Sequence, residues 1–398
     1  MNITVYPKKL SGNISAIPSK SQAHRLLICA AFSDAATEIF CPQTNQDIEA
    51  TVDCLNALGA YISRTEKGYS VKPATEYPKE TILNCRESGS TLRFMLPIAG
   101  ALGVTTTFIL SGRLPFRPLS PLWEEMERMG CTLSRPTENT IICQGKLDCG
   151  NYSISGNVSS QFITGLLFAL ALIPGKSNLN ITGKTESIPY IQMTQKALAK
   201  FGVSTDNYCI KGSFPFHSPG HIDVEGDWSN GAFFLAAVKT GSNLFVNGLD
   251  PDSPQGDRAV SELLESLENN CTICAADVPD LVPILAVVAG CKKGATFTHI
   301  QRLRLKESDR VASVAQMLNS LGAQTKITED TITVYPAQYR SCIIDSVGDH
   351  RIAMSAAIAA TVANGPVTIL GAECVCKSYP GFWDDFKKLG GNYEQHIR

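Results

Sequence analysis

Charge of one sign is what this sequence most plainly lacks. Thirty-five Lys and Arg stand against 37 Asp and Glu, for a formal net charge of -2. So balanced a chain has no general attraction for nucleic acid or anionic lipid, and any anion site must come from local clustering of cations. Long hydrophobic runs are also missing. A membrane-spanning helix needs ~18 consecutive apolar residues. The longest stretch here, Phe162 to Ile173, is broken by Thr164 and Gly165 and reads as a buried helix. The opening M-N-I-T-V-Y-P-K-K-L has no charged-then-apolar signal layout and reads as a first strand. Fourteen Cys without an export signal point to a reducing, cytoplasmic location.

Familiar catalytic motifs are absent too. There is no G-x-x-x-x-G-K-[ST], no G-x-G-x-x-G after a strand, no H-E-x-x-H and no G-x-S-x-G. Nucleotide, flavin and zinc chemistry are therefore disfavoured, and the six His are dispersed. Cys271 and Cys274 form a lone C-x-x-C, while Cys374 and Cys376 alternate as strand residues do. Neither arrangement is expected to hold a metal.

What is present is a repeat. The 398 residues suit two domains of about 200 each. Six segments share a polar start, an apolar Ala- and Leu-rich helix, a Gly or Pro stop and a short strand. They start near Ser19, Ser88, Ser159, Asp227, Asp280 and Asp349. The spacing is roughly 70 residues, shortened to roughly 50 between the fourth and fifth. A second, amphipathic helix follows in most units and ends in a hydrophobic-Gly pair, as in M-E-R-M-G and M-L-N-S-L-G. Gly suits the left-handed residue just past a helix end. Each unit thus reads β-α-β-α-β-β, with the apolar helices buried, in an α/β protein of two domains.

The polar helix starts carry the chemistry. A helix N-terminus offers free N–H groups and a positive dipole end, a ready anion site. Ser19 and Gln22 match a capping box, but capping does not explain Lys20 or Arg25, since cations there oppose the dipole. An anionic ligand removes that conflict. Further cations sit in R-L-R-L-K-E-S-D-R (Arg302 to Arg310), in G-R-L-P-F-R-P-L ahead of a Pro-initiated helix, and at Lys377. Arg supplies the fork that grips carboxylate or phosphate at two points. A run such as 302–310 is otherwise read as a solvated helix face.

Together these segments resemble the enolpyruvyl transferase family, and within it the branch acting on shikimate 3-phosphate. P-S-K-S-Q-A-H-R resembles the family's opening signature, E-S-G-S-T-L-R its Gly loop, and L-K-E-S-D-R its catalytic segment. S-S-Q-F-I-T-G, S-I-P-Y, D-V-P-D-L, D-H-R and K-S-Y-P match further segments along essentially the whole chain. The resemblance implies two domains of the inside-out α/β barrel type, each of three β-α-β-α-β-β units, closing on ligand. One holds residues 18–224 and most shikimate 3-phosphate contacts. The other holds 1–17 and 225–398, with the catalytic acid and the phosphoenolpyruvate clamp.

It implies transfer of the enolpyruvyl group of phosphoenolpyruvate to the 5-hydroxyl of shikimate 3-phosphate, on the route to chorismate and aromatic amino acids. Phosphoenolpyruvate would be bound by Lys20, Gly89, Arg117, Gln161, Arg310, Arg351 and Lys377. Shikimate 3-phosphate would be bound by Lys20, Ser21, Arg25, Ser159, Ser160, Gln161, Ser187, Asp280 and Lys306. Asp280 would take the hydroxyl proton, Glu307 would protonate the methylene carbon, and Lys20 would complete the catalytic set. No metal or cofactor is implied, nor any nucleic-acid or membrane partner, and the expected state is a monomer.

Two departures stand out. The family usually has Asn where this chain has His24, and often Asn where it has Glu87, an acid that would repel phosphoenolpyruvate unless turned away or paired. Two other readings remain. The sibling branch acts on UDP-N-acetylglucosamine, with a K-N opening and a loop Cys between the second and third units. Here the opening is Lys20-Ser21, and Cys131 falls in an expected strand. A non-catalytic phosphate-sugar binding protein would tolerate loss of Asp280 and Glu307, and both are present.

Overall fold

The structure, a computed structural model, describes residues 1–212 and 215–396. It divides into two compact units, Pro18–Val224 and Met1–Ile17 with Glu225–Arg398. Each is a mixed α/β body built around apolar helices.

In the Pro18–Val224 unit the helices Lys20–Ala31, Gly89–Leu102 and Ser160–Leu172 are buried almost throughout. Ser19, Ser88 and Ser159 start them, each accepting a backbone N–H on its side-chain oxygen, at 3.4, 3.3 and 3.3 Å. Such caps satisfy donors that a helix start cannot pair itself. Two of these helices approach very closely. Pro97 has no N–H to give the carbonyl of Arg93 one turn back. That carbonyl faces Gly165, where an added Cβ would lie 2.1 Å from the oxygen. Gly is what permits this contact.

Strands of three sheets pack against these helices. Strands Glu80–Arg86, Thr105–Leu110, Thr140–Gly145 and Cys131–Thr137 lie in that spatial order, the first pair parallel and the others antiparallel. With helices Gly89–Leu102 and Leu122–Arg128 they form a complete β-α-β-α-β-β unit. A second sheet repeats the order, but its first strand, His221–Asp223, comes from the far end of the unit to pair with Thr37–Phe40. The third is shorter, with Asn151–Ser155, Gly175–Thr182 and Cys209–Gly212.

The other unit repeats the plan around Trp228–Lys239, Val282–Cys291 and His350–Ala360. Cys271–Cys274, Ala295–Thr298, Thr331–Val334 and Thr325–Ile327 form one four-stranded sheet. In another, the N-terminal strand Asn2–Tyr6 lies between Val367–Leu370 and Asn392–His396, antiparallel to both. The fourth repeat is reduced among the described residues to Ser11–Ser15 paired with Asn243–Asn247.

One local expectation is corrected and two elements are placed more finely. Cys374 and Cys376 lie in a 3-10 helix, Ala372–Lys377, rather than a strand, because Gly371 at φ 66° turns the chain out of Val367–Leu370. The fifth buried helix starts at Val282, with Asp280 just ahead of it, Pro283 being suited to a first turn. The run Arg302 to Arg310 is not one helix face. It comprises a 3-10 helix, Gln301–Leu305, a link, and a new helix, Arg310–Leu321, capped by Asp309.

Candidate active site

Each unit gathers charged and hydroxyl side chains at the starts of its buried helices. In the Pro18–Val224 unit, Lys20 opens its helix and its Nζ meets Asp47 Oδ2 at 2.9 Å. Arg25, one turn further, is 3% exposed. Its guanidinium donates to the Ser21 carbonyl (2.6 Å), the Tyr190 carbonyl (3.0 Å) and the hydroxyls of Thr194 (2.9 Å) and Thr164 (3.4 Å). It also lies over the Phe94 ring, 5.3 Å from the centroid. Burial pushes its pKa down to about 10. A buried cation whose hydrogen-bond acceptors are neutral suits an anionic ligand.

Gln161 ties the second and third helix starts together. Its Nε2 donates to Ser90 Oγ at 2.9 Å, and its Oε1 accepts from Arg93 Nη1 at 2.9 Å. Gly89 sits under two guanidiniums. A Cβ there would lie 2.5 Å from Arg117 Nη1 and 2.8 Å from Arg93 Nη1. Arg117 follows the 3-10 helix Leu114–Phe116, and its buried Nε has no hydrogen-bond partner among the described residues. Ser159 and Ser160 lie at the start of their helix, and Ser187 precedes Ile188–Lys200 at φ 56°, a left-handed conformation uncommon for a residue with a Cβ. Glu87 is exposed and turned onto Gly112, where an added Cβ would meet its Oε1 at 1.9 Å.

The other unit centres on Arg310, which is 1% exposed. Its Nε donates to Asp349 Oδ2 at 2.8 Å, Nη1 to Asp280 Oδ1 at 2.5 Å and Nη2 to Glu307 Oε2 at 2.7 Å. Burial opposes its charge, but Asp349, Glu307 and Asp280 together raise its pKa. Asp280 also meets Arg351 Nη2 at 3.2 Å and Lys306 Nζ at 3.4 Å, while Arg351 Nη1 donates to the Asp280 carbonyl at 3.0 Å. Burial alone would raise the Asp280 carboxyl, yet Arg351, Lys306 and Arg310 outweigh it and hold its pKa well below the usual range. Burial pushes Lys306 down to about 8, against the pull of Asp280. Lys377 ends its 3-10 helix and is 8% exposed.

Several carboxylates were missed by sequence reasoning. Asp47 holds Lys20, and Asp349 both caps its helix, accepting from Arg351 N at 3.0 Å, and holds Arg310. Asp257 is buried and takes a hydrogen bond from Ser229 Oγ. Burial first, then Asp280, raises its pKa to about 6, against the effect of Arg351. Only Asp349 had a readable signal, its place at a helix start. The Arg310 cluster is consequently as acidic as it is basic. Cys131 lies buried on a strand, and the described residues hold no group of three metal-ligating side chains. Among them no helix is long and apolar enough to cross a membrane.

Repeated buried helices with polar and charged side chains gathered at their starts define a two-unit α/β protein. The chain belongs to the EPSP synthase (3-phosphoshikimate 1-carboxyvinyltransferase) family, whose sequence model matches residues 5–278 and 269–386. A 3-phosphoshikimate 1-carboxyvinyltransferase of Clostridium kluyveri is 38% identical over 99% of this chain and 98% of its own. One from Clostridium perfringens is 38% identical over 98% of each. In fold the chain is similar to EPSP synthase from Acinetobacter baumannii, with TM-score 0.81, 22% identity and 99% of both chains covered. It is also similar to the enolpyruvyl transferase NikO from Streptomyces tendae, with TM-score 0.76, 15% identity, and 100% and 99% covered.

Proposed function

We propose that this enzyme transfers the enolpyruvyl group of phosphoenolpyruvate to the 5-hydroxyl of shikimate 3-phosphate, releasing phosphate. The observation that carries the reading is the Asp280–Arg310–Glu307 cluster, two carboxylates on one buried guanidinium with Lys306 and Arg351 alongside. It supplies a base, an acid and anion-binding cations within one set. The sequence likeness to the clostridial 3-phosphoshikimate 1-carboxyvinyltransferases supports the choice of substrates.

In this reading Ser21, Arg25, Ser159, Ser160, Gln161, Ser187 and Lys306 hold shikimate 3-phosphate. Lys20, Arg117, Arg310, Arg351 and Lys377 grip the carboxylate and phosphate of phosphoenolpyruvate, with Gln161 and the Gly89 backbone beside it. Asp280 accepts the 5-hydroxyl proton as O5 bonds to C2 of phosphoenolpyruvate, and Glu307 gives a proton to the methylene carbon. Lys20 completes the catalytic set by stabilising negative charge at the reacting centre. The resulting tetrahedral intermediate expels phosphate from C2 while its methyl carbon returns a proton.

The low proton affinity of Asp280 in the free protein fits a two-stage use. Anions binding Lys306, Arg310 and Arg351 offset the cations that depress it, so its basicity rises as substrates arrive. The finer architecture in this reading is the inside-out α/β barrel, with three β-α-β-α-β-β units per domain. Residues 18–224 contribute most shikimate 3-phosphate contacts, and the remainder contribute the acid and much of the clamp. The enzyme works as a cytoplasmic monomer.

The test is phosphate release on mixing the protein with both substrates, without added metal. Release requiring shikimate 3-phosphate and phosphoenolpyruvate together is expected. Release with UDP-N-acetylglucosamine in place of shikimate 3-phosphate would overturn the reading.

A further inference from the structure

His24 lies between Lys20 and Arg25 in the chain and is buried, its ring 6.3 Å from that of Phe94 in an edge-on arrangement. Its Nδ1 is 2.7 Å from Thr51 Oγ1, which is 2.8 Å from Thr91 Oγ1. Thr91 Oγ1 donates to Ser88 Oγ at 2.7 Å and lies 3.4 Å from the Asp47 carbonyl. Ser88 in turn caps Gly89–Leu102, the helix that opens with Gly89. Asp47 carries the carboxylate that holds Lys20. A buried chain of hydroxyls therefore joins the starts of three helices, Lys20–Ala31, Gln46–Ala57 and Gly89–Leu102, and His24 is its end.

Counting protons orients the chain. With Thr91 donating to Ser88, the proton between the two threonines comes from Thr51, and the one between Thr51 and the ring must come from His24 Nδ1. His24 Nε2, which has no hydrogen-bond partner among the described residues, then carries only a lone pair. Running every bond the other way would leave a buried N–H unpaired at Nε2, a rarer and costlier state than an unused lone pair. Burial pushes the His24 pKa down to about 3, so the ring is neutral and able to act as a one-proton donor.

We propose that His24 is a positioning residue for the enolpyruvyl donor, its Nδ1–H orienting Thr51, Thr91 and Ser88 so that Gly89 and the Lys20–Asp47 pair keep their places. This rests on the reading of Lys20, Gly89 and Arg117 as donor-binding residues. The family's usual Asn can present an N–H from nearly the same point as the ring Nδ1, so His24→Asn is the conservative variant.

The test is steady-state kinetics on His24→Leu, His24→Asn and Thr51→Val, with 15N NMR of the wild-type ring. Weakening one charge-assisted hydrogen bond to the donor is expected to raise KM for phosphoenolpyruvate about tenfold in His24→Leu. KM for shikimate 3-phosphate should change by less than about twofold, while kcat should fall by a similar factor to the rise in KM for phosphoenolpyruvate, because Lys20 also acts at the reacting centre. Thr51→Val, which cuts the chain one step on, should reproduce the effect, and His24→Asn should reverse most of it. The NMR should show the proton on Nδ1.

An unchanged KM for phosphoenolpyruvate in Thr51→Val or a folded His24→Leu would overturn the proposal. So would an Nε2–H tautomer, or a loss spread equally over all kinetic constants. A wild-type protein with no turnover of these substrates would overturn the functional reading itself, a result distinct from any of those.

Discussion

The Arg310 guanidinium and the Asp349 carboxylate meet Nε to Oδ2 at 2.8 Å, with 1% and 0% of their side chains exposed. They open two neighbouring helices, Arg310–Leu321 and His350–Ala360, so the pair fixes where the cation sits. Removing one partner of a buried pair typically costs ~3–5 kcal/mol, because the other charge is left uncompensated. Asp280 and Glu307 remain beside Arg310, so Asp349→Ala is expected near ~3 kcal/mol, the lower end of that range. Asp349→Asn keeps a capping oxygen for Arg351 N and should recover ~1 kcal/mol. Urea unfolding of the three proteins checks both values, and an unaltered midpoint in Asp349→Ala would remove the pair's structural role.

Glu307 is held by Arg310 Nη2 at 2.7 Å, within one turn of chain. If it delivers the proton to the methylene carbon, Glu307→Gln keeps the shape and loses the acid. Turnover is expected to fall at least ~10²-fold, the usual scale for a general acid or base. Shikimate 3-phosphate binding, measured by calorimetry, should change little. Near-normal turnover would assign the proton to another group.

Gly89 has no room for a side chain beneath Arg117 and Arg93. Gly89→Ala must push the Arg117 guanidinium away, since a Cβ would lie 2.5 Å from its Nη1. Loss of a charge-assisted hydrogen bond is worth ~1.5–3 kcal/mol. That corresponds to roughly a 10- to 100-fold weaker hold on phosphoenolpyruvate, with Arg117→Ala giving a similar loss. Shikimate 3-phosphate affinity should be retained in both. The two substitutions act on one contact, so their effects should not add; full additivity would show that Gly89 acts elsewhere.

Legibility followed the range of the signal. Ser19, Ser88 and Ser159 announce helices through local capping chemistry, and the hydrophobic-Gly endings mark left-handed residues such as Gly130 at φ 110° and Gly322 at φ 98°. Apolar stretches such as Val282–Cys291 reveal burial by having no polar face. Long-range pairing leaves no such mark. Nothing near Asn2–Tyr6 says that it lies between Val367–Leu370 and Asn392–His396, and nothing near His221–Asp223 names Thr37–Phe40 as its neighbour. Lys20 and Arg25 stood out because cations at a helix start oppose its dipole. Asp47, which holds Lys20, and the buried Asp257 did not, since an acid early in a helix already has the dipole to account for it.

Lys306 gives the site a pH limit. Its ammonium lies 3.4 Å from Asp280 Oδ1, and burial lowers its pKa to about 8. The charged form, which attracts an anion, is complete well below that value and lost above it. Affinity for shikimate 3-phosphate should therefore be flat at neutral pH and decline as pH rises through about 8, by at most about tenfold per pH unit. The ligand's own phosphate changes charge near pH ~6, which keeps its titration out of this window. Binding near pH 8 should also take up a proton, because the bound anion raises the ammonium's pKa. Calorimetry in buffers of different ionisation enthalpy measures that uptake, and a pH series measures the decline. Lys306→Met should bind more weakly at neutral pH and lose both the alkaline decline and the proton uptake. If wild-type affinity stayed level through about pH 9, Lys306 would not be the cation that holds the ligand.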